Sequence, residues 1–244
     1  MPGFSKSILA KRVQGSTLDI ADDAGNELSG VTITTSANAN ISLTHNAGTN
    51  ITYLLPQGQQ VITATKAGYV TNKTAVDISG VVHITIVLAN TTNLQSTQTI
   101  TDADSTAQTV TNTARASNNA TVDFPAGAIV DSNGNPVSNV TVQVTNVSIS
   151  DTGSVDIFPG LFVGNDAGTI TPIESYGFMN VTLTNTATGE ELTLDPAKGA
   201  TVRLPVDPDP ELDIIPTYRL DESTGQWTLL DYAYRITGSN VFEF

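Results

Sequence analysis

Carboxylates are the one chemically capable group that this sequence holds in quantity. Asp102 and Asp104, then Asp207, Asp209, Glu211 and Asp213, then Asp221 with Glu222, fall in short clusters between strand-like runs. Hard oxygen ligands at loop tips hold Ca²⁺ in many surface β-proteins, so Asp102, Asp104, Asp207, Asp209 and Asp213 are the candidate calcium ligands. None of these runs has the spacing of the EF-hand loop. Asp207-Pro208-Asp209-Pro210 also reads as a stiff, solvated turn, since proline fixes φ and aspartate satisfies turn amides. The second candidate is aromatic. Tyr218, Trp227, Tyr232 and Tyr234 gather near the C-terminus, and Tyr232-Ala233-Tyr234 sets two rings on one strand face, as a carbohydrate platform would. A lone tryptophan after a Thr-Gly turn is more usually core in a domain poor in large residues.

Other chemistries find less support. The two histidines, His45 and His83, share no metal-ligand spacing, and each reads as solvated or paired across strands. No G-x-S-x-G elbow is present. With no cysteine, disulfides and thiolate metal sites are excluded; no cofactor is expected, and Ca²⁺ is the one ion these carboxylates would suit. An enzyme is therefore not expected.

The elements that must position these groups are strands. Hydrophobic residues make up 39% and charged residues only 14% of the 244, which is the balance of a folded chain. The polar remainder is rich in Thr, Ser and Asn, which suit strands and turns. A net charge of −14 without any basic cluster argues against nucleic acid and anionic membranes as partners. No apolar run reaches the 18 residues of a membrane span. Met1 to Lys6 lacks the apolar stretch of a signal peptide, so a secreted chain would have lost its signal or been part of a longer protein.

Apolar residues alternate with period two at Val31 and Ile33, at Ile51, Tyr53 and Leu55, and at Val82, Ile84, Ile86 and Leu88. Asp22-Asp23-Ala24-Gly25-Asn26-Glu27-Leu28-Ser29-Gly30-Val31 is echoed by Asp131-Ser132-Asn133-Gly134-Asn135-Pro136-Val137-Ser138-Asn139-Val140. Each copy runs into a Thr-alternating segment, and two copies of one reversal predict two β-modules. Residues 91–118 are polar, with Ile100 and Val110 as their anchors; part reads as linker and part as an edge strand of the second module.

The first turn phrase, followed by Leu54-Leu55-Pro56-Gln57-Gly58 and Lys66-Ala67-Gly68-Tyr69, resembles the carboxypeptidase regulatory-like domain over nearly all of residues 16–90. That resemblance implies a transthyretin-like sandwich of about seven strands with no catalytic residues. Phe124-Pro125-Ala126-Gly127-Ala128, Phe158-Pro159-Gly160, Ser175-Tyr176-Gly177 and the run from Tyr218 to Trp227 are similar to a β-rich module of bacterial surface proteins, with a pattern related to cartilage intermediate layer protein.

The expected fold is all-β, with two sandwich-like domains. The chain divides into an N-terminal extension (1–15), the first sandwich (16–90), a polar connector (91–118) and a larger second sandwich (119–244). The expected role is a non-catalytic structural or adhesive module of a prokaryotic surface protein, located outside the cell. Its partner would be a surface polysaccharide or a neighbouring protein module. Two alternatives stand beside it: a carbohydrate-binding accessory module, and a filament subunit that self-associates by strand addition through residues 1–13.

Overall fold

A computed structural model describes residues 13–48, 52–114, 119–151, 157–160, 162–221 and 223–244. The described residues are all-β, with no α-helix. The first sandwich contains β1 (Val13–Asp22), β2 (Val31–Thr35), β3 (Asn38–His45), β4 (Thr52–Pro56), β5 (Gly58–Thr65), β6 (Asn72–Ile78) and β7 (Val82–Leu88). One sheet runs β4-β1-β7 and the other β3-β2-β5-β6. Alternation decides which faces meet: Ile84, Ile86 and Leu88 turn inward while His83 and Thr85 face solvent. They pack with Leu18, Ile20, Ile33 and Leu55 in one core. Val13 to Gly15 of the expected extension are the first residues of β1. The remainder of that extension, with Phe4, Ile8 and Leu9, lies outside the described residues.

Both histidines are committed to pairs. Exposed His83 on β7 bonds Thr17 through Nδ1 at 2.8 Å and meets Asp19 through Nε2 at 3.1 Å, both on neighbouring β1. His45 is buried at the end of β3, with Nδ1 3.1 Å from the Tyr53 hydroxyl. Burial holds its pKa below the ordinary 6.5, against the opposing pull of Glu27 and Asp19. Such a group binds a proton less readily folded than unfolded, so stability is full above pH 6.5 and declines as pH falls through that value. The melting temperature is expected to drop between pH 7.5 and 5, and His45→Gln should flatten that part of the profile. An identical slope in the variant would remove His45 as the cause.

The second sandwich contains β8 (Gln95–Ile100), β9 (Gln108–Thr111), β10 (Thr121–Phe124), β11 (Ile129–Val130), β12 (Val140–Ser148), β13 (Val163–Asp166) and β14 (Thr169–Pro172). It continues with β15 (Gly177–Asn185), β16 (Thr193–Leu194), β17 (Thr201–Pro205), β18 (Ile214–Asp221), β19 (Gln226–Arg235) and β20 (Val241–Glu243). A large sheet runs β14-β13-β19-β20-β17-β10-β9, with β18 on the other edge of β19. The opposing sheet is only β15-β12-β8, and β11 pairs with β16. Thus β8 and β9, inside the polar segment 91–118, are strands of this sandwich, and the boundary expected at 119 falls between the paired strands β9 and β10. Ile100 and Val110 are buried, as anchors should be.

The repeated turn phrase makes the same structure twice. Asp22 accepts from the Ala24 and Asn26 amides at 3.0 and 2.7 Å, and Asp131 from those of Asn133 and Asn135 at 2.9 and 2.8 Å. The closing bonds, Leu28 N to Ile20 O and Val137 N to Ile129 O, also correspond. Turn amides and the Asn side chains favour the ionised form and hold both aspartates below the usual carboxylate range. Gly25 and Gly134 sit at φ +83° and +82° with open space around them. Gly134→Val is therefore a test of backbone strain without steric clash. It should cost roughly 1 kcal/mol or more, and Gly134→Asn less. Equal melting temperatures for the two variants would count against that reading.

The two sandwiches share apolar packing. Ala89, Leu94, Val147 and Ile157 form one cluster, joined by Val70, Val87 and Phe178. Gly160 N donates to Lys73 O at 2.7 Å, and Gly225 sits so close to Ala75 that an added Cβ would lie 2.4 Å from the Ala75 Cβ. The C-terminal half of β12 explains an otherwise odd run of buried polar residues. Thr145, Asn146 and Ser148 are bonded by Gln95 Nε2, Asn112 Nδ2 and the Asp207 carbonyl respectively, which offsets their desolvation.

Candidate functional site

Because a three-stranded sheet faces a much broader one, the second sandwich is not closed along β15. The result is a cleft of about 620 Å³. One wall is β15, presenting Phe178, Asn180 and Thr182; the other is built by β17 to β20, with Leu204, Tyr218, Trp227 and Phe242. Val70 and Lys73 of the first sandwich close one end. A smaller apolar gap of about 260 Å³ shares Val181 and Val202 with it and continues beneath Phe124 and Leu183.

Trp227 is half-buried and anchored at both its ring and its nitrogen. Its Nε1 donates to Pro159 O at 3.1 Å, and its ring lies 5.0 Å from that of Phe158. Phe158 stacks on Phe162 at 4.2 Å and meets Phe178 edge-on at 5.8 Å. Tyr176 lines the cleft beside Glu174; burial pushes its phenol pKa up, and the charge and hydrogen bond of Glu174 add to the rise. Asn180, Thr182, Glu191 and Arg219 are among the residues lining the same space, Asn180, Glu191 and Arg219 at exposed positions, and their side chains make no hydrogen bond among the described residues.

The four aromatic residues singled out in the sequence divide between two surfaces. Tyr218 and Trp227 face the cleft. Tyr232 and Tyr234 lie on the outer face, 46% and 58% exposed, opposite Pro216 and Ile214 of β18. Ala233 between them is buried against Ile215 and Phe242, as strand alternation requires.

The five candidate calcium ligands divide as well. The Asp102–Asp104 turn is tied to the start of β12 by the Ala103 N to Ser138 O bond, whereas Asp207 bonds Ser148 and Ser150 at its end. Nine strand residues separate the two by roughly 25–30 Å. Asp209 and Asp213 converge on Arg235, at 2.6 and 3.4 Å. The hydrogen bond from Arg235, aided by the Glu211 amide, holds the Asp209 pKa below the usual range. Asp221 caps its own turn through Ser223, and Glu222 lies outside the described residues. Among the described residues, no three His, Asp or Glu side chains are grouped to hold a metal ion.

Sequence reasoning missed Arg235, and it missed Phe158 as the ring partner of Trp227 and Tyr176 and Phe178 as lining of the same cleft. The signal for three of these was present in the Phe158-Pro159-Gly160 and Ser175-Tyr176-Gly177-Phe178 strings.

No protein-family model matches this chain, and no curated protein matches it. Among solved structures it is similar to a DUF3823 family protein from Parabacteroides merdae, at 12% identity over 81% of this chain and 92% of that one, with a TM-score of 0.25. It is also similar to the Bacillus anthracis TIE protein, at 12% identity over 96% of this chain and 43% of that one, again with a TM-score of 0.25. The site is therefore read from its own geometry.

Proposed function

We propose that the chain is a non-catalytic structural and adhesive module of a prokaryotic surface protein, working outside the cell as a stiff two-domain spacer. The observation that carries this reading is the apolar cluster shared by the sandwiches, from Val70 and Ala89 on one side to Val147 and Phe178 on the other. Domains joined by a mobile linker leave such residues in water, while a buried junction fixes distance and orientation. The acidic, cysteine-free, Thr-rich composition supports an extracellular site in a prokaryote. The non-catalytic part rests on the absence of any nucleophile-base or metal-ligand pattern in the sequence and on two histidines already engaged in pairs.

The absence of native cysteine makes the test direct. Spin labels at Val81→Cys and Thr188→Cys, both exposed positions, report the distance between the sandwiches. A narrow distribution is expected, and a broad one overturns the spacer role. Protease treatment of intact source cells should release fragments of the chain; full protection would overturn the extracellular location.

A further inference from the structure

We infer that the cleft between β15 and the β17–β20 wall is a binding site for a short neutral oligosaccharide. This goes beyond the spacer role and does not depend on it. Its volume of about 620 Å³ lies within the roughly 300–1,000 Å³ of small-ligand sites. Tyr176, Tyr218 and Trp227 supply aromatic faces, which pack against the C–H faces of pyranose rings. Asn180, Thr182, Glu191 and Arg219 bring amide, hydroxyl, carboxylate and guanidinium groups that the described residues leave unpartnered.

That polar set decides between ligand classes. An apolar chain laid in the cleft would strip water from these groups and return no hydrogen bonds, a penalty that sugar hydroxyls avoid because each both donates and accepts. The lining charges are Lys73 and Arg219 against Glu174 and Glu191, so neither an anionic nor a cationic ligand is favoured. The open side along β15 lets a polymer extend beyond the cleft.

Trp227 is the only tryptophan, so its emission reports this site alone. The full chain is titrated with cellohexaose, laminarihexaose, mannohexaose and chitohexaose, and with dodecanoate as the apolar probe. At least one hexasaccharide is expected to give a saturable shift in emission. Tyr218→Ala should weaken that binding about tenfold or more, whereas Tyr232→Ala on the outer face should leave it unchanged. Asn180→Ala, at an exposed strand position, keeps the test valid should Tyr218→Ala fail to fold, and should also weaken binding. Saturation by dodecanoate alone, no response to any of the four sugars, or a sugar response that survives Asn180→Ala overturns the assignment. Any of these results leaves the spin-label distance, and with it the spacer role, untouched.

Discussion

A fragment of residues 119–244 is expected to be unfolded at 25 °C, and a fragment of residues 90–244 to be folded. The difference is β8 and β9. Without them β12 loses the partner that it pairs from Val140–Ile100 to Thr145–Gln95, and β10 loses its register with Gln108 to Thr111. Ile100, Ala103 and Val110 leave the core with them, and so does Asn112, the donor to buried Asn146. Large apolar side chains contribute about 1.5–3 kcal/mol each when buried, so the loss approaches the whole stability of about 5–15 kcal/mol that a domain holds. Two bare strand edges would also invite aggregation. Amide chemical-shift dispersion separates the outcomes. A well-dispersed spectrum from 119–244 would show that the pairing of β8 and β9 is dispensable.

Arg235→Ala should lower the melting temperature by about 5–10 °C, corresponding to about 2–3 kcal/mol. The side chain is only 13% exposed, and its guanidinium is used on every side. Nε and Nη2 donate to Leu212 O at 2.9 and 2.7 Å, Nη1 to Ser239 O at 3.2 Å, and Nη2 to Asp209. Its plane also lies 4.9 Å from the Phe242 ring centroid. Truncation removes these bonds and the Phe242 contact together, and water replaces them only in part, at the exposed Asp209 and Leu212. Arg235→Lys should recover less than half of the loss, because a single ammonium cannot span the Leu212 carbonyl, Asp209 and Ser239 together. Full recovery by lysine would mean that charge alone matters there.

What the sequence made legible was local. The Asp-x-x-Gly-Asn turns could be read because one aspartate satisfies amides two and four residues onward, with no help from the rest of the fold. Strand faces could be read for the same reason, since period two belongs to the strand itself. That Tyr218 and Trp227 line the cleft while Tyr232 and Tyr234 do not could not be read, because it depends on what packs against each end of β19, with β13 beside Trp227 and β20 beside Tyr234. The carboxylates show the same limit. Asp207, Asp209 and Asp213 look like ligands in a row, yet Asp207 is held by Ser148 and Ser150 while Asp209 and Asp213 turn to an arginine 22 residues beyond Asp213, pairings that only the folded chain creates. The cleft was hidden because it arises from unequal sheet sizes, a property of topology.

The parallel pairing of β1 with β7 bears on how the first sandwich would respond to pulling. The chain enters at Val13 and leaves at Leu88, and these strands run side by side from Ser16–Val82 to Asp22–Leu88. Tension between the two points acts along both strands in opposite senses, across hydrogen bonds that lie between them. The bonds are loaded in shear, so they share the force and must yield together instead of opening one at a time like a zip. Rupture force is then governed by the unfolding barrier more than by equilibrium stability. A chain threaded through such a clamp would carry load without lengthening until the whole ladder failed.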